Sequence, residues 1–285
     1  MAMKANYLKQ LKFLFAMAVV MAYAQSTSAA SSKWKLYNDC VKDKGRELDV
    51  LIDTCTKAIV GQAGNNNNLA LIYMMRGNGY NLKKDYDKAL DDYNQSIELD
   101  PKRPVAYLNR ASAWANKREY EHAMSDINEV LSKHRKSAYA YYTRAKLWLM
   151  MENIEQAVKD GVYAARLNPS SPRLLNLSCW TRAIAGIDLE GAWFACAEAL
   201  KRSRNWAEIY DSRSLVNLRL DKFEDAIKDA DQALKIKPKL AGSLFVRGIA
   251  KLRIGYKEEG EADLTAAKHL EPDIEERYAN WGVTR

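Results

Sequence analysis

The sequence predicts an all-α solenoid of antiparallel helix pairs, and three observations carry that prediction. First, the stretch 73–101, YMMRGNGYNLKKDYDKALDDYNQSIELDP, recurs at a period of about 34 residues. Tyr73, Arg76-Gly77, Tyr80 and Ala89 return as Tyr107, Arg110-Ala111, Trp114 and Ala123. They return again as Tyr141, Arg144-Ala145, Trp148 and Ala157. Second, apolar residues recur at helical spacing from residue 31 to residue 272, with no strand-length alternation. Third, Pro101 and Pro169 fall where one copy ends, and proline cannot continue a helix.

The first 30 residues are read apart from the repeats. Lys4, Lys9 and Lys12 precede an apolar run from Leu11 to Ala24, and small residues follow. This is the order of a secretory signal peptide, with cleavage expected after Ala30 and a second candidate after Ala24. The apolar run is shorter than the roughly 20 residues a membrane-spanning helix needs, so a retained anchor is disfavoured. Loss of the three leader lysines reduces the formal charge of +8 to about +5. The remaining charges alternate in sign along the helices, which argues against a nucleic-acid or anionic-membrane surface.

Residues 34–60 read as an atypical helix pair that caps the array, and the Asn65–Asn68 run reads as a polar linker out of it, giving a cap region of 31–66. The array follows over 67–274, in units 70–103, 104–137, 138–171, 172–206, 207–240 and 241–274. The unit 172–206 is divergent and is expected to carry an extra residue in its turn, near Gly186-Ile187-Asp188. Residues 275–285 are expected as a final capping helix.

The spacing and the residue order (aromatic, Arg-Gly or Arg-Ala, aromatic, Ala, aromatic, Ala, Pro) resemble the tetratricopeptide repeat family over nearly all of the chain after the leader. That resemblance implies a right-handed solenoid whose first helices line an inner, ligand-binding face. The segments CTKAI, SCWTRAIAG and GIAKLRIGYKEEGEADL are similar to exported tetratricopeptide proteins of alphaproteobacteria.

Each recurring residue has a structural explanation. Gly77, Ala111, Ala145 and Gly248 on first helices are expected to face Ala89, Ala123, Ala157 and Gly260 on second helices, because small side chains let helices approach closely. Arg76, Arg110, Arg144, Arg213 and Arg247 form one row, and Asp92, Asp126, Asp160, Asp229 and Asp263 form another. An arginine row suits phosphate or carboxylate ligands, but it equally suits internal ion pairs. In unit 172–206 both positions lose their charge together, as Ser178 and Ala195, which favours internal pairs, since a lone buried charge is costly.

Cys40 and Cys55, and likewise Cys179 and Cys196, stand about 15 residues apart, one on each helix of a hairpin, where side chains meet across the close contact. An even number of cysteines after a leader favours the disulfides Cys40–Cys55 and Cys179–Cys196; free thiols or a shared metal site are the alternatives. The wide spacing is unlike a zinc site. The three histidines, His122, His134 and His269, stand outside any catalytic or metal-binding motif, and no phosphate-cradling or nucleophile motif occurs. No enzymatic role, metal or cofactor is therefore expected.

The inner positions implied by the resemblance are Met74 and Asn78, then Leu108 and Ser112, as a candidate partner groove. They continue as Tyr139, Tyr142, Lys146, Trp180 and Asp211. Aromatic and methionine side chains there suit a peptide or a partner helix. The expected function is an exported, periplasmic scaffold for a protein or peptide of undefined identity. An accessory subunit of an envelope enzyme or secretion complex, or a small-molecule-binding solenoid, is the alternative. Export itself is checked by N-terminal sequencing of protein recovered from the producing cell's envelope: the expected first residue is Ser31, and retention of Met1 contradicts the reading.

Overall fold

The computed structural model describes residues 31–42 and 47–285, so the expected leader and its cleavage site lie outside the described residues. The described chain is all α. Helical residues 31–41 form α1. They are followed by α2 (Leu48–Val60), α3 (Asn66–Leu82), α4 (Tyr86–Leu99), α5 (Pro104–Asn116) and α6 (Tyr120–Lys133). Next come α7 (Ala138–Met150), α8 (Ile154–Leu167), α9 (Pro172–Ala185), α10 (Leu189–Arg202) and α11 (Ala207–Arg219). The last are α12 (Phe223–Ile236), α13 (Ala241–Arg253), α14 (Lys257–Leu270) and α15 (Ile274–Asn280). Two compact units divide within α6, after Asp126.

Local chemistry sets the helix ends. The side chains of Asp85, Ser137, Asn153 and Asp188 accept hydrogen bonds from backbone N–H groups three residues on, and so satisfy donors that a helix start leaves open. Pro104 and Pro172 occupy the first position of α5 and α9, where a missing N–H costs nothing. The Asn65–Asn68 run is no linker. Asn65 caps α3 and accepts from the Asn68 N–H at 3.1 Å, so the asparagines are its first turn.

The turn inside each hairpin uses one left-handed residue: Lys84, Arg118, Glu152, Asp221 or Gly255. The divergent unit differs here. Its first helix, α9, has 14 residues where α7 has 13, and both Gly186 and Asp188 are left-handed. The turn itself stays three residues long, so the extra residue is absorbed in the helix.

In the first unit of structure, α3 and α4 meet at Gly77 and Ala89. A Cβ on Gly77 would lie 2.8 Å from the Tyr93 ring and 3.2 Å from the Ala89 carbonyl oxygen, so only glycine fits. In the second, a Cβ on Gly248 or Gly260 would lie 2.9 Å from the other's carbonyl oxygen. Ala89, Ala111, Ala123, Ala145 and Ala157 are all buried. The small-residue positions are therefore contact points between helix backbones.

The arginine and aspartate rows pair within their hairpins. Arg76, Arg110, Arg144, Arg213 and Arg247 each hold the aspartate of the facing helix in a two-point fork, with contacts such as 2.7 and 2.9 Å for Arg144 to Asp160. The aspartates are buried. Burial pushes the Asp92 and Asp229 carboxyls above their ordinary value, and the arginines beside them offset only part of that. Such a pair adds little net stability relative to apolar residues, but removing one partner strands a buried charge.

The hairpins without this pair carry the disulfides. Cys40 and Cys55 join α1 to α2, and Cys179 and Cys196 join α9 to α10, with Cα atoms 4.7 and 5.5 Å apart. Ser178, in the arginine position, is buried, and its hydroxyl accepts from Arg182 at 2.8 Å.

Arg144→Ala is expected to lower unfolding free energy by about 3–5 kcal/mol, the range for a stranded buried carboxylate. Lys159→Ala, at an exposed i,i+4 pair with Glu155, should change it by about 0.5 kcal/mol at most. Urea titrations of both variants measure the difference, and equal small effects would refute the structural role of the fork.

Candidate functional site on the first helices

In the first unit, the expected groove residues on α3 and α5 are mostly engaged. Met74 is buried with Ala89, Leu90, Tyr93 and Ala106, and Leu108 is buried. The Ser112 hydroxyl donates to the Leu108 carbonyl oxygen at 2.9 Å. The Asn78 side-chain oxygen accepts from Tyr93 and from Asn109, both at 2.8 Å. Asn116 donates to Asn81 in the same way. This asparagine seam ties α3 to α5 and was not visible as a pattern in the sequence, because Asn109 and Asn116 do not recur in the other repeats.

In the second unit, α7 contacts α9, α9 contacts α11 and α11 contacts α13, so first helices lie side by side. Tyr139 is 51% exposed, although aromatic rings usually prefer burial. Its ring meets Tyr142 edge-on at 6.4 Å, and Lys146 sits 5.8 Å above the Tyr142 ring. Burial raises the Tyr142 hydroxyl's pKa, and nearby Arg173 opposes that shift. Lys146 is held below its ordinary value by desolvation and then by repulsion from Arg173. Neither cation forms an ion pair among the described residues. Two like charges left facing each other beside two aromatic rings form a patch that the fold does not neutralise.

Trp180 and Asp211 lie farther along this face, against the C-terminal segment. The final helix is shorter than expected: α15 ends at Asn280, and Gly282 then adopts φ +74°, which breaks it. Ile274 and Tyr278 are buried. The Tyr278 ring packs 4.5 Å from Phe245 of α13, and Trp281 meets Trp180 of α9 edge-on at 5.5 Å. Arg219 of α11 donates to the carbonyls of Trp281 and Ile184. The segment therefore crosses α13, α11 and α9 on the face that the inner residues line. The sequence reading took the segment only as an end cap; its two aromatics three residues apart, Tyr278 and Trp281, are the signal that could have shown more.

Asp211 accepts from the Ser243 hydroxyl at 2.6 Å, and its carboxyl is pushed up to about 6 by burial, with further repulsion from Glu208 and Glu271. Lys237 opposes that shift, and Tyr278 faces the carboxylate from α15.

Hairpins of two antiparallel helices, stacked with first helix beside first helix and closed by small residues, define a helical-repeat solenoid. The tetratricopeptide repeat model matches residues 67–103 and 207–240, so those two units are tetratricopeptide repeats within the all-α solenoid. Its structure is similar to a tetratricopeptide repeat protein from Parabacteroides merdae, at 18% identity and a TM-score of 0.60, covering 90% of this chain and all of that one. It is also similar to pilF of Pseudomonas aeruginosa, at 15% identity and a TM-score of 0.61, over 76% of this chain and 98% of that one. Yeast Tom70 matches at 19% identity and a TM-score of 0.58 over 87% of this chain, which spans 55% of Tom70. At these identities the likeness is one of fold.

Because the Asp211 carboxyl binds its proton more tightly in the folded than in the unfolded chain, its contribution is present below about pH 4 and is lost as pH rises through about 6. Asp211→Asn is expected to be more stable relative to wild type at pH 7 than at pH 4, by about 2–3 kcal/mol. Urea unfolding of both proteins at the two pH values reads this; a difference that does not change with pH would contradict it.

Proposed function

We propose that this protein is an exported interaction scaffold that holds a segment of another polypeptide on the face of its first helices. The observation that carries the reading is the patch on α7 and α9. Tyr139 and Tyr142 supply apolar ring surface, and Lys146 and Arg173 supply positive charge that no ion pair among the described residues offsets. Aromatic anchors dominate binding at such surfaces, and unpaired cations select a partner with acidic side chains by removing the mutual repulsion of Lys146 and Arg173. Trp180 extends the aromatic surface along α9.

Support for export comes from the cysteines. All four are in disulfides, and such bonds persist in oxidising compartments. No helix among the described residues is long and apolar enough to cross a membrane. The leader-like 1–30 segment and the bonds together favour the periplasm. The partner is a protein or peptide, and no catalytic role, cofactor or metal is assigned.

Affinity capture from envelope extracts, with the captured proteins quantified, tests the patch. Tyr139→Ala/Tyr142→Ala should reduce recovery of the dominant partner by at least ~10-fold, in line with the loss of a hot-spot aromatic pair. Arg173→Glu should weaken it further as salt is lowered. Undiminished recovery by a folded double variant would end this reading.

A further inference from the structure

The C-terminal segment 274–284 is held on the first-helix face in the manner of a bound peptide. The seven-residue helix α15 and the non-helical end after it place Ile274, Tyr278, Trp281 and Val283 against the helices, while the backbone carbonyls of Trp281 and Thr284 accept from Arg219 and Arg253. Apolar anchors at regular intervals with main-chain hydrogen bonds between them are how grooves of this kind recognise polypeptides. We propose that the face of α9, α11 and α13 is a peptide-binding groove which residues 274–284 occupy in cis, and that an acidic, aromatic-bearing segment of a partner displaces them. The inference rests on the scaffold reading above and deepens it by naming a second, self-occupied part of that face.

Two observations indicate that the occupant is exchangeable and what replaces it. The segment does not fill its seat. A pocket of about 200 Å³, open to solvent, remains beside it, lined by Arg219, Asp221, Phe223, Ile249, Arg253 and Thr284 among others. That edge of the segment faces the open pocket and not a packed wall, so it adds little dispersion contact to the attachment. The Arg219 guanidinium is also incompletely satisfied, although Asp221 lines the same pocket. Burial alone lowers the Arg219 guanidinium from its ordinary value, with no carboxylate compensating, and its Nε has no hydrogen-bond partner among the described residues. Arg219 donates to the carbonyls of Ile184 and Trp281, and Arg253 to that of Thr284, all of them neutral. A guanidinium binds a carboxylate through stronger, charge-assisted hydrogen bonds than it makes to a neutral carbonyl. A ligand that offers an aromatic ring to Trp180 and a carboxylate to Arg219 and Arg253 therefore has an advantage that the resident segment lacks. Residues 274–284 in turn have the advantage of tethering, equivalent to a local concentration on the order of millimolar. Displacement thus requires a partner that is either better matched or abundant, and the segment sets that threshold.

The test uses the full chain and a fluorescently labelled synthetic peptide of residues 273–285, titrated against wild type and Trp281→Ala, with folding checked by circular dichroism. Trp281 is only partly buried, so its loss should loosen the segment and spare the core. The variant is expected to bind the peptide at least ~10-fold more tightly than wild type, whose own segment competes at high effective concentration. A second peptide carrying Thr284→Glu should bind the variant more tightly still, with the gain lost at high salt. A folded variant that binds neither peptide better than wild type overturns the proposal. Failure of the Thr284→Glu peptide alone overturns the acidic specificity. If Trp281→Ala does not fold, hydrogen exchange of wild type decides: amides of 274–283 exchanging faster than those of α13 support a detachable segment, and exchange only through global unfolding refutes it. Partner capture that depends on Tyr142 while the peptide titrations fail would reject this inference and leave the scaffold reading standing.

Discussion

The structure depends on the close approach of two antiparallel helices in each hairpin. At Gly77, Gly248 and Gly260 a single added carbon would collide with a ring or with the facing backbone. With the backbones so near, whatever stands beside the contact is buried, and each hairpin needs a specific cross-connection there. Five hairpins use an arginine fork on a buried aspartate, and two use a disulfide. In the α9–α10 hairpin the disulfide stands beside the place of the fork: Cys179 follows Ser178, where the other repeats carry arginine and then a small residue.

The two connections differ physically. The fork works only while both partners are present, since the carboxylate is already penalised by burial. The disulfide acts chiefly on the unfolded chain by shortening the loop it closes. It suits the α1–α2 hairpin, which is the first among the described residues, and the divergent α9–α10 hairpin, whose turn departs from the rest. A repeat array derives stability from neighbour contacts, so weak units are where a covalent link contributes most.

The same regularity explains how function can reside in a fold built from copies. Residues that recur are committed to hairpin contacts, whereas those that vary on the first helices are free to differ in charge and size. Tyr139, Lys146 and Arg173 belong to the second group, as do Arg219 and Arg253 near the C-terminal segment. Met74 and Leu108 occupy equivalent inner positions in the first unit, yet they are buried. Position in the repeat predicts which helix face a residue shares, but exposure depends on the neighbours' side chains.

The sequence by itself determined the repeat, the helix pairs, the partners of every arginine fork and both disulfides. Those follow from a fixed period: a residue and its partner sixteen places on meet in every copy of one geometry, and the joint loss of charge at Ser178 and Ala195 reveals the pairing. The asparagine seam from Asn78 to Asn109 and from Asn81 to Asn116 breaks no rule of the repeat and follows none, so no comparison between copies exposes it. Only the tertiary structure decided that Trp281 lies against Trp180 and that Arg219 spans α9 and the C-terminal segment. Those contacts join residues far apart in the chain and occur once, and a contact made once leaves no periodic trace.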